Sequence, residues 1–392
     1  MILLFWISLF IVFYAFAGYG ILLYVLIKLK RALGHGKTSI SLDENNLPTV
    51  ALVIAAYNEE AYIEEKIKNC LELDYPPNIF DIIFVTDGSN DRTPEKIKGH
   101  PEVKLFHKDE RAGKMAAIKR VLPELTSDII VFTDANTYLN KGAIKELVKH
   151  YQNSKVGAVA GEKKIIVEEK ADASSAGEGF YWKYESALKK WDYELYSNVG
   201  AAGELFSIRR SLYQPVETDT IIDDHMIAMR IAEKGYIIAY EPNAYAMETA
   251  SADSREELKR KIRIAAGGVQ SIFRLKKAAN PFLNPVLTFQ YISHRVLRWT
   301  VTPFLMILAF ILNIIIAVQT QHPLYIVLLA GQLAFYGLSV IGYLLEKKNL
   351  KIKAFFIPYY FCLMNYAVIA GIYRYFKKSQ SAAWEKSKRK SM

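Results

Sequence analysis

The first 27 residues carry no charged side chain, and this run constrains the fold more than any other feature of the sequence. In a helix that rises about 1.5 Å per residue, roughly 20 apolar residues cross the hydrocarbon core of a bilayer. Residues 1–27 therefore predict a transmembrane helix, and a basic cluster follows it directly, at Lys28, Lys30, Arg31 and Lys37. By the positive-inside rule, we expect this basic end on the cytoplasmic side. A cleaved signal peptide would carry its basic residues before the apolar run, so the anchor is favoured.

Three further apolar runs predict membrane segments in the C-terminal third of the chain, at residues 301–318, 324–345 and 354–373. The connection between the first two lacks fixed charge, which is typical of a helical hairpin that crosses the membrane and returns. A basic tail, residues 374–392, follows the last run. A simple crossing would place this tail outside, against the positive-inside rule. The run 354–373 is therefore expected either to span the membrane or to re-enter it, with the tail on the cytoplasmic side.

Composition excludes several classes of protein for the chain as a whole, and residues 45–250 between the apolar ends predict a soluble domain. The chain is 52% hydrophobic and 23% charged, which excludes intrinsic disorder. Its two cysteines, Cys70 and Cys362, exclude both a disulfide scaffold and a cysteine-based zinc site. The formal net charge of +10 favours a phosphate-bearing partner or an anionic membrane surface.

Strands and helices are predicted to alternate through this middle region. The strands are apolar runs rich in β-branched residues, at 49–56, 81–86, 103–107 and 128–133. Asn58 is expected to cap the helix that follows the first strand. This order predicts an α/β fold with a doubly wound, mostly parallel sheet. Ligands of such sheets bind at the carboxyl ends of the strands, so the polar residues there are the candidates for function.

Two acidic motifs follow predicted strands. Asp87 precedes Gly88 after the second strand, where its carboxylate could accept hydrogen bonds from a nucleoside or could simply belong to a glycine turn. After the fourth strand, Asp134 and Asn136 stand two residues apart. Their oxygens could share a Mg²⁺ or Mn²⁺ ion that also bridges a diphosphate, or Asp134 could only cap a helix.

Three later motifs are also compatible with a site. Lys114 begins a predicted helix and would add positive charge to its anion-attracting end. Asp223 and Asp224 begin another helix, where one of them could act as a general base or both could only interact with the helix dipole. The small residues of 200–203 permit either a ligand close to the backbone or tight packing.

Residues 254–298 predict basic amphipathic helices at the membrane interface. From Lys259 to Lys277 there are seven lysines and arginines and no acidic residue. An interrupted apolar stripe indicates a helix that lies on the cytoplasmic membrane face. Alternatively, or in addition, Arg260 and Arg263 reach the active site and hold a diphosphate.

Taken in order, these motifs resemble the membrane-embedded, processive branch of glycosyltransferase family 2, which includes cellulose, hyaluronan and poly-N-acetylglucosamine synthases. The resemblance covers nearly the whole chain. It implies a cytoplasmic domain of the GT-A fold, Rossmann-like with a mostly parallel sheet, between N- and C-terminal transmembrane helices. It also implies a multi-pass protein of the plasma membrane, which is the inner membrane where there are two. The expected partners are a UDP-sugar donor, a lipid-linked or polysaccharide acceptor, the bilayer and export subunits, with no nucleic acid.

The resemblance assigns roles residue by residue. Asp224 matches the catalytic base, and Asp134 with Asn136 matches the metal-binding motif for Mg²⁺ or Mn²⁺. The expected nucleotide-sugar contacts are Ala56, Tyr57, Glu59, Asp87, Lys114, Asp134 and Arg263. The residues expected at the acceptor or behind these contacts are Gly203, Glu204, Asp223 and Arg260.

Two positions depart from the pattern of that branch. Asn136 stands where the metal motif has a second aspartate, which lowers the charge of the site. Ile264 stands where the family has the tryptophan that stacks on the acceptor sugar, and isoleucine cannot stack in this way. The expected activity is therefore an inverting, metal-dependent sugar transfer. A processive exopolysaccharide synthase, a membrane-anchored nucleotidyltransferase and an inactive scaffold subunit are the alternatives.

Overall fold

The computed structural model describes residues 1–34, 40–166, 173–249, 254–348, 350 and 352–380. Residues 381–392, which hold most of the predicted basic tail, lie outside the described residues, as do 35–39 and 250–253 at the predicted domain junctions. The strands are β1 (Val50–Ala56), β2 (Phe80–Asp87), β3 (Lys104–Lys108), β4 (Ile129–Asp134), β5 (Tyr138–Leu139), β6 (Val156–Ile166), β7 (Phe206–Arg209) and β8 (Ile237–Thr249).

Helices connect and cover these strands. They are α1 (Ile2–Ala32), α2 (Ile63–Leu71), α3 (Thr93–Lys98), α4 (Lys114–Val121), α5 (Ala143–Val148), α6 (Ala173–Leu195), α7 (Asp223–Ala232), α8 (Ser254–Arg274), α9 (Pro285–Tyr291), α10 (Thr302–Thr320), α11 (Pro323–Lys347) and α12 (Lys353–Phe376). A π-helical turn interrupts α1 at Tyr14–Gly18, and another, Ile292–Val296, continues α9 into the short helix Leu297–Trp299.

The strands form one eight-stranded sheet in the order β3-β2-β1-β4-β7-β6-β8-β5. The pairs within β3-β2-β1-β4 and the pair β6-β8 are parallel, whereas β7 is antiparallel to both β4 and β6. Every residue of β1 is buried, as expected for a central strand covered on both faces. The mostly parallel α/β sheet expected from the sequence is confirmed.

The register of the parallel strands brings the two acidic motifs to one edge of the sheet. Ala56 pairs with Thr86, and Ala55 pairs with Asp134. Asp87 ends β2 and Asp134 ends β4, on either side of the last residues of β1. Because parallel strands end at the same edge, both carboxylates face the same side of the domain.

The helix after β1 begins later than the sequence predicts. Asn58 does not cap it, because α2 begins at Ile63 and Tyr62 is the preceding residue. Asn58 instead has a left-handed backbone, with φ 54°, and its side chain accepts a hydrogen bond from the backbone N–H of Asn90. Asparagine tolerates this conformation better than most residues do, which explains its place in a turn.

Four helices are long and apolar enough to cross a membrane: Ile2–Ala32, Thr302–Thr320, Pro323–Lys347 and Ala354–Phe376. The first of these helices, α1, packs on α10, since Phe5 lies in one apolar cluster with Leu312 and Ile316 of α10. α12 is continuous through Pro358. With 19 to 31 residues, each of these helices is long enough to cross the hydrocarbon core of a bilayer.

The apolar stripe of the basic helix α8 is buried inside the protein. Ile262, Ala265 and Ala266 are all at most 6% exposed. Gly371 of α12 permits this packing, because a Cβ there would lie only 2.6 Å from Ala265 Cβ. The stripe therefore fixes α8 against α12, and this places its arginines near the cavity described next.

Candidate functional site

A cavity of about 1640 Å³ opens at the carboxyl ends of the strands and continues to the membrane helices. Its polar end is lined by residues at the end of β4, by residues 200–204 before β7 and by the start of α7. Its apolar end is lined by Phe16 of α1 and by Tyr360, Phe361 and Met364 of α12. One continuous space thus joins the edge of the sheet, where ligands of such folds bind, to the helices that could cross a membrane.

Carboxylates that are far apart in the sequence meet at the polar end. Lys114 Nζ lies 2.9 Å from Asp134 Oδ1 and 3.8 Å from Asp223 Oδ2. A Cβ added to Gly203 would lie 3.5 Å from Asp224 Oδ2 and 3.8 Å from Asp134 Oδ2, so glycine keeps this space open. Burial disfavours the charge of Lys114, but the three carboxylates outweigh it and raise the pKa of this amine.

Asp224 has the character of a base that works near neutral pH. Burial and the negative charge of Asp223 raise its pKa to about 7. Its Oδ1 accepts the backbone N–H of His225 at 2.8 Å, which orients the carboxyl group at the start of α7. A carboxylate with this pKa in an open cavity can take a proton from a hydroxyl group.

His225 is an unsuitable base. It is 4% exposed, and burial together with the charge of Arg295 lowers its pKa to about 3. Its ring lies 5.3 Å from the ring of Trp299 and 6.2 Å from that of Tyr291. His225 therefore packs as a neutral aromatic group behind Asp224.

The oxygens available at Asp134 and Asn136 fit a divalent cation. Asn136 Oδ1 is buried and accepts no hydrogen bond from the described residues, although Asn136 lines the cavity. Within the described chain, no group of three or more His, Cys, Asp or Glu side chains could hold a metal. Two protein oxygens leave the remaining positions of a hard cation to a ligand such as a diphosphate.

Asp87 lies beside a second, much smaller cavity of about 20 Å³, which Ala56, Tyr57 and Arg111 also line. Asp87 Oδ2 accepts the backbone N–H groups of Ala112 and Gly113, at 2.8 and 2.6 Å. One oxygen of Asp87 thus binds the loop before α4 and fixes its position. Its other oxygen, Oδ1, is buried, makes no hydrogen bond among the described residues and lies 3.6 Å from Arg120 Nη1.

Arg111 covers the aromatic ring that a nucleobase could use. Its guanidinium carbon lies 3.9 Å from the ring centre of Tyr57, and its Nη1 donates to the Tyr57 hydroxyl at 3.2 Å. Gly88 permits this approach, since it has φ 70° and a Cβ there would lie 2.5 Å from Arg111 Cβ. The loop before α4 therefore closes over the end of β2.

The remaining acidic and basic candidates differ in the ion pairs that they form and in whether they line the cavity. Glu204 lies 2.7 Å from Lys163, and this partner lowers its pKa despite its burial. Arg260 donates to both carboxylate oxygens of Glu257, at 3.0 and 3.1 Å. Arg263 lines the cavity and forms no ion pair within the described chain, so it is the cation of α8 best placed to meet a diphosphate. Glu59 also lines the cavity and is 3% exposed.

Sequence reasoning missed a cluster of charged residues at the apolar end of the cavity. Glu185 of α6 and His294, Arg295 and Arg298 after α9 line this end. The three basic residues directly precede an apolar run in the sequence, where basic residues are common for reasons of membrane topology and so give no signal of a site. Glu185 gave no such signal, because its helix shows only an ordinary mixture of polar and apolar residues.

Comparisons with known proteins match part of this chain to a described family. Residues 51–216 match the model of the family described as glycosyl transferase family 2. A β-monoglucosyldiacylglycerol synthase from Nostoc sp. is 30% identical over 204 residues, which is 48% of this chain and 42% of that protein. A poly-β-1,6-N-acetyl-D-glucosamine synthase from Staphylococcus aureus is 27% identical over 248 residues, which is 61% of this chain and 58% of that protein. The chain thus spans about half the length of these curated relatives.

A solved structure shows the same fold over nearly the full length. It is a mannosyltransferase from Pyrobaculum calidifontis in complex with GDP-Man and Mn²⁺, with a TM-score of 0.71 and 24% identity. The alignment covers 96% of this chain and 99% of that one. At this identity the likeness establishes the fold, and it confirms the architecture expected from the motifs. Residues 51–216 therefore match a glycosyltransferase family 2 domain, and the chain has the GT-A fold.

Proposed function

We propose that the protein transfers a sugar, with inversion, from a nucleoside diphosphate donor to a hydroxyl group of a lipid-borne acceptor. The observation that carries this proposal is the single cavity that contains Asp134, Asn136 and Asp224 at one end and apolar side chains of α1 and α12 at the other. The family relationship supplies the class of reaction. The site is expected at the cytoplasmic face of the plasma membrane, where nucleotide-sugars are available.

The donor diphosphate would lie between the metal motif and α8. Asp134 and Asn136 would hold Mg²⁺ or Mn²⁺, which when bound neutralises charge on the departing nucleoside diphosphate. Arg263 adds a cation from this chain to the same charge, because its side chain lines the cavity without a carboxylate partner in the described structure. UDP-sugars are the expected donors from the motifs, and GDP-mannose is the natural comparison because the structural neighbour contains it.

Asp224 would act as the general base. Its carboxylate takes the proton of the acceptor hydroxyl, whose oxygen attacks the anomeric carbon from the face opposite the diphosphate. The bond between the anomeric carbon and the diphosphate oxygen breaks, and the nucleoside diphosphate leaves with that electron pair. No covalent enzyme intermediate is needed, so one carboxylate is sufficient.

The acceptor would approach along the apolar end of the cavity. Phe16 and Phe361, whose ring centres are 4.7 Å apart, form part of its wall. A free sugar or soluble polysaccharide would gain little from such a wall, whereas a lipid chain buries apolar surface there. One relative is named for a glycolipid and another for a polysaccharide, so product length is the property to measure.

The test uses the full-length protein in nanodiscs, with labelled UDP-sugars and GDP-mannose, Mn²⁺ or Mg²⁺, and extracted membrane lipids. We expect release of one nucleoside diphosphate per labelled sugar that enters the organic phase, with a single sugar added per lipid. Long water-soluble polymers would favour a processive synthase. Release of pyrophosphate would indicate a nucleotidyltransferase, and the absence of both transfer and donor hydrolysis would indicate a scaffold subunit.

A further inference from the structure

The apolar end of the cavity contains two arginines that share one carboxylate. Arg295 Nη1 lies 2.7 Å from Glu185 Oε1, and Arg298 Nη1 lies 3.4 Å from Glu185 Oε2. Their side chains are 17% and 12% exposed, and all three residues line the cavity. Arg298 Nη2 is buried and makes no hydrogen bond among the described residues. A buried guanidinium nitrogen without an acceptor is costly, so this nitrogen is suited to an anionic ligand.

A second carboxylate in this cluster is already satisfied within the protein. Asp192 is fully buried and lies on the far side of His294, whose Nδ1 is 2.5 Å from Asp192 Oδ2. The same aspartate accepts hydrogen bonds from Tyr19 and from Gln290. His294 Nε2 lies 3.1 Å from Glu185 Oε1, so this histidine links the two acidic groups.

Two π-helical turns build this cluster. The turn Tyr14–Gly18 leaves the carbonyl oxygen of Ala15 to accept from Arg298 Nε at 2.8 Å. The turn Ile292–Val296 carries His294 and Arg295 themselves. Such turns occur disproportionately at functional sites, because they expose backbone groups and redirect side chains.

The order of groups along the cavity matches the order of groups in a phosphorylated lipid. Asp224 adjoins His225, whose ring contacts Trp299, and the guanidinium carbon of Arg295 lies 5.6 Å from the centre of the Trp299 ring. Beyond it, Arg298 lies 5.8 Å from the ring of Phe16. The ring of Phe16 leads to α12 and the apolar wall.

From this order we infer that Arg295 and Arg298 bind the phosphate of the acceptor lipid, between the hydroxyl group at Asp224 and the apolar chain along α1 and α12. The inference rests on the proposed function, since it names the acceptor class of that site. An apolar wall beside the two cations favours a lipid phosphate over free phosphate. Two guanidinium groups facing one carboxylate can also donate to a dianionic phosphate without losing the Glu185 contact.

The test measures lipid binding without donor or turnover, so that it can fail independently of the proposed transfer. Native mass spectrometry of the full chain in detergent compares two pairs, polyprenyl phosphate with polyprenol and phosphatidic acid with diacylglycerol. These probes test the positions of the phosphate and the chain and leave the position of the acceptor hydroxyl group empty. In at least one pair we expect the phosphate-bearing lipid to bind about 10-fold more tightly, which is the size of effect that a charged hydrogen bond provides. The pair that shows this preference identifies the lipid chain that the site accepts, polyprenyl or diacyl.

Variants separate a phosphate site from a structural role. In Arg298→Gln the preference for the phosphate-bearing lipid should fall towards one, whereas Arg230→Gln, which alters an arginine paired with Glu217, should retain it. If Arg298→Gln does not fold, Glu185→Gln provides the reverse test. It removes the negative charge beside the proposed phosphate position and should strengthen the preference. Equal binding within both pairs, or inorganic phosphate binding as tightly as the lipids, would overturn the inference.

Discussion

Lys114 Nζ lies 2.9 Å from Asp134 Oδ1, so that a lysine at the start of α4 pairs with the carboxylate proposed to hold the metal. Asp223 and Asp224 lie near the same amine and help to keep it charged. A divalent cation at Asp134 therefore has to compete with an ammonium group that is already in place. We therefore expect Lys114 to weaken the binding of a metal ion at Asp134 and to strengthen the binding of the nucleoside diphosphate.

We predict that Lys114→Gln binds Mn²⁺ more tightly in the absence of nucleotide and binds the nucleoside diphosphate more weakly. Removal of a positive charge a few ångströms from the ion should raise Mn²⁺ affinity about 10-fold or more. Electron paramagnetic resonance of free Mn²⁺ and calorimetry with UDP or GDP measure the two effects. Lys119→Gln, on an exposed position of the same helix, is the matched control. An unchanged Mn²⁺ affinity in Lys114→Gln would show that the ion binds elsewhere.

Asn136→Asp is predicted to raise the affinity for a divalent cation. The amide oxygen of Asn136 is buried without a hydrogen-bond donor in the described structure, and a carboxylate there adds a negative charge to the same position. We expect the Mn²⁺ concentration for half-maximal transfer to fall about 10-fold, because hard cations prefer charged oxygen ligands. Asn140→Asp, where the side chain donates to Asn243 O, provides the control. If the Mn²⁺ concentration for half-maximal transfer falls equally in both variants, the effect comes from the added negative charge of the protein and not from a ligand at position 136.

Asp224→Asn is predicted to abolish transfer while nucleotide binding persists. An amide cannot accept the proton of the acceptor hydroxyl, and loss of a general base lowers rates by about 10²–10⁴-fold. Transfer to lipid and calorimetric binding of the nucleoside diphosphate are measured in parallel. Asp219→Asn, an exposed aspartate that pairs with Arg274 nearby, should keep most of its activity. Full transfer by Asp224→Asn would remove this residue from the role.

The sequence was sufficient to predict the parallel core of the fold, because β1, β2 and β4 are continuous apolar runs that end in Asp or Ala next to polar turns. It was not sufficient for the antiparallel direction of β7 or for its place in the sheet. That strand has only four residues, and its pairing with β4 and β6 is decided by tertiary packing rather than by local pattern.

The site was predictable to the extent that each residue follows a strand or begins a helix. Asp134, Asn136 and Asp224 could be proposed in this way, and the structure brings them to one cavity. Arg260 illustrates the limit, because its engagement by Glu257 three residues earlier depends on side-chain conformation. Arg295 and Arg298 could not be recognised as a cluster from the sequence, because they meet at Glu185, which is more than 100 residues away.

Gly200→Ala is predicted to destabilise the protein. Gly200 has φ 137°, which disfavours a side chain, and a Cβ there would lie 2.5 Å from His225 Nδ1 in the packed interior. We expect a loss of about 1–3 kcal/mol in the free energy of unfolding, seen as a lower Tm. Gly142→Ala is the control, because its φ is −87° and no atom lies within 4 Å of the added Cβ. Equal Tm shifts for the two variants would contradict this explanation.

The pH dependence of transfer tests the assignment of Asp224 most directly. Burial and the neighbouring charge of Asp223 raise the pKa of Asp224 to about 7. Below that pH the carboxyl group is protonated and cannot serve as a base, so kcat/KM should fall about 10-fold per pH unit on the acid side and level off above it.

Asp223→Asn extends this test, because it removes the like charge that raises the pKa of Asp224. The acid limb of the profile should therefore move to lower pH, whereas Glu217→Gln, at a half-exposed residue paired with Arg230, should leave it in place. The profile is measured with several acceptors, so that a shift caused by titration of the enzyme can be distinguished from one caused by titration of an acceptor. A limb that stays near pH 7 in Asp223→Asn would assign the titration to a group other than Asp224, and the proton would then have to leave the acceptor by another route.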